Sequence, residues 1–283
     1  SQNDLKQRAI KVLHNLSFVD DPTRIFRAVR FESRMGFTLV KHTERLIRNA
    51  VKMNLFGKAN DPRFFTELKY LLSEEQATET VERLASLGLF PYLWPDLKPH
   101  LQLDRRFRHN LHQAQRAIAW FKLLYLPDKY EQWMVYLLAI MGRSPNAVLI
   151  NFCNRFQVAP KTRDYLLAEK SLADKTAHFL ARRSELSHSE IYTVLRDLRI
   201  EGLLYLMAIA RKSEVKKAVS LFMTSLRDES PLLNGDDLKE LGYQPGPEFR
   251  LMLDALQLAR LDGQTTSREE EMALLAERFP PPP

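Results

Sequence analysis

The chain has 283 residues, of which 45% are hydrophobic, and a formal net charge of +7. This length and composition suffice for two or three packed subdomains, exclude a disordered tail, and include no apolar run near the roughly 20 residues of a membrane span. The one cysteine excludes an internal disulfide framework and fits a cytoplasmic protein, while the basic balance favours a polyanionic partner.

Apolar residues recur with a period near 3.6, alternating β-branched runs are few, and only 9 residues are glycine. These features predict an all-α fold. Prolines and glycines divide the chain into a neck (residues 1–97), a body (98–157) and a tail (158–283). After the first neck helix, further helices are predicted around His42 to Met53, after Pro62, from about Ser73 to Leu87, from His109 to Leu124 and from Tyr130 to Met141.

The first neck helix, here called the arginine helix, is predicted between Asp21 and Gly36. An Asp before Pro22 can cap it, and Gly36 can end it. At about 100° per residue, four arginines share an arc of roughly 120°, and apolar residues cover the opposite side. The four are Arg24, Arg27, Arg30 and Arg34. For such a helix taken alone, a solvated, salt-bridged arginine face is the more common interpretation.

The other interpretation is nucleotide recognition. A carboxylate that accepts from an exocyclic amine, beside a guanidinium that donates to a ring acceptor, distinguishes ATP or CTP from GTP and UTP. Each buried polar group left unpaired by a wrong base costs about 1–3 kcal/mol. Asp21 and Arg24 are candidates for this pair, and the other arginines suit phosphate oxygens. Phe31 is a candidate for stacking on a base, although an aromatic residue on a helix is more often part of the core.

The segment Asp20-Asp21-x-x-Arg24 resembles the motif by which class II tRNA nucleotidyltransferases and poly(A) polymerases recognise the incoming nucleotide. Asp20 stands where that family usually has Glu. Arg63 and Glu67 match the family's next element, with Pro62 in place of the more usual Glu. Residues 234–247, 259–263 and 267–270 resemble its C-terminal tail signature, so the likeness is strong in residues 11–97 and 231–272.

The resemblance implies which residues bind the nucleotide. The nucleotide-binding residues would be Asp21, Arg24, Arg27 and Arg30, supported by Asp20, Arg34, Arg63 and Glu67.

The groups that would catalyse nucleotidyl transfer are missing from the sequence. Transfer by two metal ions needs paired carboxylates and a Gly-rich turn. The chain contains no Asp-x-Asp, Asp-x-Glu, Gly-Gly or Gly-Ser. In the family these groups, with Mg²⁺, belong to an N-terminal head, and this sequence starts at Ser1 with residues that resemble an expression tag. We therefore expect a fragment that follows the head, binds no metal of its own and is inactive alone.

Two other features of the body and tail invite a metal-site interpretation. His109 and His112 could begin a phosphohydrolase site, but the chain has no His-Asp dipeptide, so no metal is expected there. Asp236 and Asp237 are expected to be helix-start carboxylates. Residues 242–247 either present N–H groups to a phosphate or join two helices.

Three basic clusters are the candidates for RNA contact, although each alone is more often a solvated face. They are Arg105, Arg106, Arg108 and His109; Arg182 and Arg183; and Arg211, Lys212, Lys216 and Lys217.

Together these features predict the neck, body and tail of an enzyme that adds AMP, with or without CMP, to RNA 3′ ends. Its partners would be tRNA or another RNA, ATP and, for some members, CTP, with no membrane. The alternatives are a stand-alone helical RNA-binding module and, third, an inactivated phosphohydrolase-like scaffold. The sequence does not distinguish CCA addition, A addition and polyadenylation, nor does it indicate an oligomeric state.

Overall fold

A computed structural model describes residues 6–55, 62–97, 105–142, 144–183 and 185–280. The chain forms two compact units, Ser1–Lys175 with Leu198–Ile209, and Thr176–Asp197 with Ala210–Pro283. The predicted boundaries of neck, body and tail, after residues 97 and 157, both fall inside the first unit. The three-part division stays a prediction.

Sixteen α-helices lie within the described ranges, which confirms the all-α prediction. The first eight are α1 (Ser17–Asp20), α2 (Thr23–Met35), α3 (Lys41–Lys52), α4 (Pro62–Ser73), α5 (Ala77–Ser86), α6 (Phe90–Leu93), α7 (Arg105–Leu123) and α8 (Gln132–Met141). The others are α9 (Asn146–Arg155), α10 (Pro160–Arg182), α11 (His188–Leu195), α12 (Ile200–Ile209), α13 (Ser213–Thr224), α14 (Gly235–Glu240), α15 (Pro247–Leu261) and α16 (Arg268–Arg278). No helix in these ranges is long and apolar enough to cross a membrane.

Two short parallel strands were not predicted. β1 (Ala9–Ile10) pairs with β2 (Thr38–Leu39), and the backbone N–H of Thr38 donates to the carbonyl of Arg8 at 2.9 Å. Strands of two residues carry no alternating pattern that a sequence can show. The pairing holds the segment before α1 beside the segment that leaves α2, and so flanks the arginine helix at its far end.

The arginine helix is α2. Its start is capped by Asp21, whose Oδ1 accepts from the backbone N–H and the hydroxyl of Thr23 at 3.1 and 2.6 Å. It ends at Gly36, which adopts φ 62°, a left-handed conformation that costs glycine little. The apolar face is buried, and Phe26 meets Phe64 of α4 edge-to-face with ring centroids 5.6 Å apart. The predicted helix, its cap and its apolar face are confirmed.

The apolar helices α8 and α12 lie inside the first unit, with most of their residues buried. One buried hydroxyl of α12 has polar partners within the unit. The single proton of the Tyr205 hydroxyl has two acceptors within reach, the carbonyl of Gly142 at 2.7 Å and Asp174 Oδ1 at 2.8 Å. Cys153 of α9 is also buried, and burial raises the pKa of its thiol to about 11. Its apolar neighbours in the sequence, Phe152 and Phe156, predict an inert core thiol, and the burial of Cys153 confirms that it lies in the core.

In the second unit, the acidic pair at the start of α14 belongs to a cap. Asn234 Oδ1 accepts from the backbone N–H groups of Asp236 and Asp237 at 2.8 and 3.2 Å, and Asp237 Oδ2 accepts from the N–H of Asn234 at 2.8 Å. This reciprocal arrangement is a capping box, so the expectation of helix-start carboxylates is confirmed. The turn that follows joins α14 to α15, and buried Tyr243 anchors it by donating to the carbonyl of Phe279 at 2.7 Å.

Asp237 should make the second unit sensitive to acid. A side-chain hydrogen bond from Arg268, then the N–H of Asn234, lower the pKa of this carboxyl below its ordinary value. A lowered pKa stabilises the fold above the unfolded carboxyl pKa of about 3.9, and the stabilisation is lost as the pH falls through the folded pKa. We expect Asp237→Asn to lower the melting temperature at neutral pH and to flatten its decline between about pH 5 and pH 2.

Asp236→Asn is the matched control for that measurement, because Asp236 is largely exposed and pairs with Lys239. The measurement is the melting temperature of each variant, followed by circular dichroism at a series of acidic pH values. An acid profile of Asp237→Asn as steep as that of the unsubstituted chain would contradict the expectation.

Candidate nucleotide and RNA interface

Asp21 uses its two carboxylate oxygens for different purposes. Oδ1 caps α2, as described, whereas Oδ2 faces two guanidinium groups, Arg24 Nε at 3.9 Å and Arg63 Nη1 at 3.6 Å. The side chain of Asp21 is 21% exposed, while those of Arg24 and Arg63 are 45% and 65% exposed. The acceptor is therefore held in place, and the two guanidinium groups that face it remain partly open to solvent. The structure brings together three residues that the sequence placed in two separate motifs.

Arg30 is engaged by the protein. Its Nη1 lies 3.7 Å from Glu67 Oε2, its Nε lies 3.9 Å from Glu74 Oε1, and its guanidinium lies 5.0 Å from the ring centroid of Tyr70. Two carboxylates and an aromatic face hold this cation against α4. For Arg30 the salt-bridged interpretation of the arginine face describes what the structure contains. The predicted role of Arg30 in nucleotide binding stays a prediction. Glu67 contacts the arginine face through its ion pair with Arg30.

The rest of the arginine face borders an open cleft, here called the α2 cleft. Its volume is about 440 Å³. Arg24, Arg27 and Phe31 of α2 form one side, and Phe31 is 46% exposed, so its interpretation as a core residue is wrong. Asp20 and Arg34 are exposed beyond it. The full lining is Ile10, Lys11, Val12, Leu13, His14, Ser17, Phe18, Arg24, Arg27, Ala28 and Phe31.

The residues before α1 that line this cleft were not identified from the sequence. Lys11 and His14 belong to no motif that marks them, because the segment is irregular and has no helical period. The indications available were their position within residues 11–97, where the family likeness is strong, and their proximity in sequence to the Asp20-Asp21 motif. Only the parallel pairing of β1 with β2 shows that this segment returns to the arginine helix.

An ion-pair network holds the C-terminal end of α2. Glu32 accepts from Arg83 of α5, Nε to Oε2, at 2.7 Å, and Arg83 Nη2 also donates to Glu44 Oε2 of α3 at 2.9 Å. Hydrogen bonds from Arg48 and then Arg83 lower the pKa of Glu44. Glu32 Oε1 also accepts from the backbone N–H of Leu39 at 3.1 Å. These contacts join three helices and orient the face that carries the arginines.

The basic clusters predicted for RNA contact are exposed, apart from half-buried Lys216. In the first unit, Arg105, Arg106 and Arg108 begin α7, and Arg108 Nε lies 3.7 Å from Glu82 Oε1.

In the second unit the structure joins two clusters that are distant in sequence. Arg183 and Lys217 line one groove of about 400 Å³ between α10, α11 and α13. Arg183 is partly committed there, because its Nη1 donates to Glu190 Oε1 at 2.6 Å and its guanidinium stacks on Phe179 at 4.8 Å. Arg182 is exposed at the end of α10, and Arg211 and Lys212 are exposed just before α13. RNA contact by these residues stays a prediction.

Within the part of the chain that the structure describes, no group of three or more His, Cys, Asp or Glu side chains could hold a metal ion. His109 and His112 lie exposed on α7.

Comparison with known proteins gives consistent matches. Residues 36–101 match a family model described as "Probable RNA and SrmB- binding site of polymerase A". Over 275 residues, 96% of this chain and 31% of the relative, the sequence is 41% identical to an A-adding tRNA nucleotidyltransferase from Geobacter sulfurreducens. The structure is similar to a Thermotoga maritima CCA-adding enzyme complexed with tRNA, with a TM-score of 0.79 and 25% identity over 98% of this chain and 66% of that one. It is also similar to a CCA-adding enzyme in complex with ATP, with a TM-score of 0.76 and 26% identity over 97% of this chain and 65% of that one.

These matches confirm the resemblance that the motifs predicted, and they extend it through the body, where the motifs were weak. The chain spans 31% of the length of the Geobacter relative.

Proposed function

From this resemblance to class II tRNA nucleotidyltransferases, we propose that the chain is the nucleotide-recognition and RNA-binding part of an enzyme that adds AMP, with or without CMP, to RNA 3′ ends. The observation that carries the proposal is the carboxylate of Asp21, held between Arg24 and Arg63 at the start of an arginine-rich helix. The relatives are named as A-adding and CCA-adding enzymes, which favours tRNA as the RNA, ATP as a substrate and the cytoplasm as the location.

The recognition step follows from the arrangement of these groups. Asp21 Oδ2 would accept a hydrogen bond from the exocyclic amine of adenine or cytosine, and Arg24 would donate to the neighbouring ring nitrogen. GTP and UTP present a carbonyl where the amine is needed, which leaves the carboxylate unpaired. Arg63, whose Nη1 lies 3.6 Å from the same oxygen, would orient the carboxylate. Arg27, exposed one turn further along α2, would contact phosphate oxygens.

Catalysis would need groups that the described residues do not offer. They present no set of ligands for Mg²⁺. The metal ions of a complete enzyme would polarise the triphosphate and activate the RNA 3′ hydroxyl. We infer that the carboxylates for these ions come from a part of the protein outside these 283 residues.

The alternative, a helical RNA-binding module with no enzyme attached, is favoured only by the missing carboxylate pair.

Two measurements test the proposal. The chain should bind tRNA with an affinity that falls at least about tenfold between about 50 and 200 mM salt, as expected when two or more phosphates are neutralised. The double variant Arg211→Ala/Lys217→Ala should weaken binding and reduce the salt slope by about 0.9 for each phosphate that is no longer neutralised. Lys161→Ala/Lys175→Ala, which removes two exposed lysines outside the clusters, should leave both unchanged.

In the same preparations, labelled AMP or CMP should not enter tRNA with any divalent metal. Incorporation by the pure chain would refute the proposal that the catalytic carboxylates lie outside these 283 residues. Absence of tRNA binding at low salt would refute the RNA-binding role itself.

A further inference from the structure

We propose that α7 and the turn after it bind an unpaired segment of RNA, with its phosphates on the cations of the helix and one base stacked on Tyr125. The inference rests on the proposed function and deepens it, because it names the kind of RNA that this surface takes. It uses none of the residues assigned to the incoming nucleotide, and its central residue, Tyr125, belongs to no motif of the sequence.

The charge of α7 points to a polyanionic ligand. The helix has 19 residues, is about 28 Å long and contains no Asp or Glu. A helix that carries cations without acids of its own attracts phosphate along its length. Its cationic side chains are Arg105, Arg106, Arg108, Arg116 and Lys122.

Six exposed side chains of α7 lie along one line, here called the α7 stripe. At about 100° per residue, they share an arc of about 100°. The predicted basic cluster ends at His109, but the stripe continues for about two further turns, through His112 and Arg116. A row of cations of this kind follows the backbone of a nucleic-acid strand. The stripe consists of Arg105, Arg108, His109, His112, Arg116 and Leu123.

The turn between α7 and α8 supplies a contact for a base. Tyr125 is 88% exposed and adopts φ 50°, a left-handed conformation that is rare for a bulky residue. An open pocket of about 350 Å³ lies beside it, lined also by Phe121 and Tyr130. The rings of Phe121 and Tyr130 meet edge-to-face with centroids 5.1 Å apart. Aromatic rings next to a row of cations are the combination on which single-stranded nucleic acid stacks.

The charges near the turn favour RNA over a protein segment. Lys122 lines the pocket and Lys129 is exposed within the turn, whereas the described lining contains one carboxylate, that of Asp128. Together with the α7 stripe, these side chains give the surface an excess of positive charge, which a polyanion matches.

The exposed ring of Tyr125 also favours a single strand over a duplex. The bases of an RNA duplex are stacked inside the helix, so a tyrosine on a protein surface does not reach their faces. An unpaired base can turn outwards and stack on such a ring.

The test uses the 283-residue chain and a single-stranded oligouridylate of about ten residues in which every third base is 2-aminopurine, a fluorescent base that stacking quenches. We expect binding to quench the fluorescence. Tyr125→Gly removes the ring and suits the backbone, because glycine adopts φ 50° at little cost. It should abolish most of the quenching and weaken strand binding at least about fivefold, without lowering the melting temperature. Binding of a blunt RNA duplex should be unchanged, and Tyr125→Phe should retain the quenching.

Asn54→Gly is the matched control for Tyr125→Gly. Asn54 is exposed at the end of α3 and adopts φ 53°, so the change introduces glycine at a second left-handed position without removing a ring. It should change neither the quenching nor the affinity.

Arg116 tests the α7 stripe separately. Arg116→Ala should lower the salt slope of strand binding by about 0.7, the value for one phosphate of a single strand, whereas Arg116→Lys should keep it. Lys161→Ala removes an exposed lysine outside α7 and should leave the slope unchanged.

Quenching and strand affinity that survive in Tyr125→Gly would overturn the inference, assign the exposed turn to a protein contact, and leave the proposed function intact. Binding of tRNA without any binding of the single strand would overturn the inference as well. Failure to bind both tRNA and the strand at low salt would refute the proposed function itself.

Discussion

Asp21→Asn, introduced into a complete nucleotidyltransferase that carries this chain, is expected to reduce the preference for ATP over GTP about 5- to 150-fold. This range corresponds to about 1–3 kcal/mol, the cost of a buried polar group left without its partner. The substitution separates the two functions of the side chain. An Asn oxygen can still accept from the N–H of Thr23 and preserve the cap, while the amide that replaces Oδ2 donates and no longer accepts from an exocyclic amine.

The measurement is the ratio of kcat/KM for ATP over GTP, with the melting temperature recorded for the same preparations. We expect the ratio to fall and the melting temperature to stay nearly constant, because the ion pairs of Asp21 are long and partly exposed. Glu75→Gln removes an exposed carboxylate elsewhere in the first unit and should change neither value.

Arg24→Ala should erode the same ratio, and the double variant with Asp21→Asn should lose far less than the sum of the two effects, as for two groups that act as one unit. An unchanged ratio in Asp21→Asn together with a stable fold would leave Asp21 with the capping role alone.

Gly202→Ala is expected to lower the free energy of unfolding by about 1–3 kcal/mol, although alanine is normally the better helix former. A Cβ at this position would lie 2.1 Å from Glu169 Oε2 and 2.8 Å from Leu198 Cδ2. Glu169 cannot move away freely, because it is buried and its Oε2 accepts from the backbone N–H of Arg199 at 2.9 Å. Displacing it leaves a buried carboxyl and a helix-start N–H unpaired.

Denaturant unfolding followed by circular dichroism tests this expectation. Gly235→Ala is the control, since a Cβ there meets only Phe249 at 4.0 Å, and it should be close to neutral. In a Glu169→Ala background only the 2.8 Å approach to Leu198 Cδ2, the end of a flexible side chain, remains. Gly202→Ala should therefore cost much less there, a strong departure from additivity. Equal destabilisation in both backgrounds would show that the carboxylate is not the cause.

The arginine helix shows how much the sequence by itself determined. Its start, its end, its buried face and its arginine face follow from an Asp before Pro22, from Gly36 and from a 3.6-residue period. Each of these depends on contacts within a few residues, which is why local pattern was sufficient. The place of Asp236 and Asp237 at a helix start, the burial of Cys153 and the all-α class were accessible for the same reason.

Only the tertiary structure decided which charged side chains act together. Arg63, which belongs to a separate motif, lies beside the carboxylate of Asp21. Arg30 forms ion pairs with Glu67 and Glu74. Arg83 forms ion pairs with Glu32 and Glu44. The α2 cleft likewise depends on the pairing of β1 with β2. Strands of two residues are too short for the sequence to predict this pairing. A helical period specifies the face on which a side chain lies. The partner of that side chain is specified by how the helices pack. Helix packing depends on contacts between residues far apart in sequence, which produce no periodic pattern in the sequence.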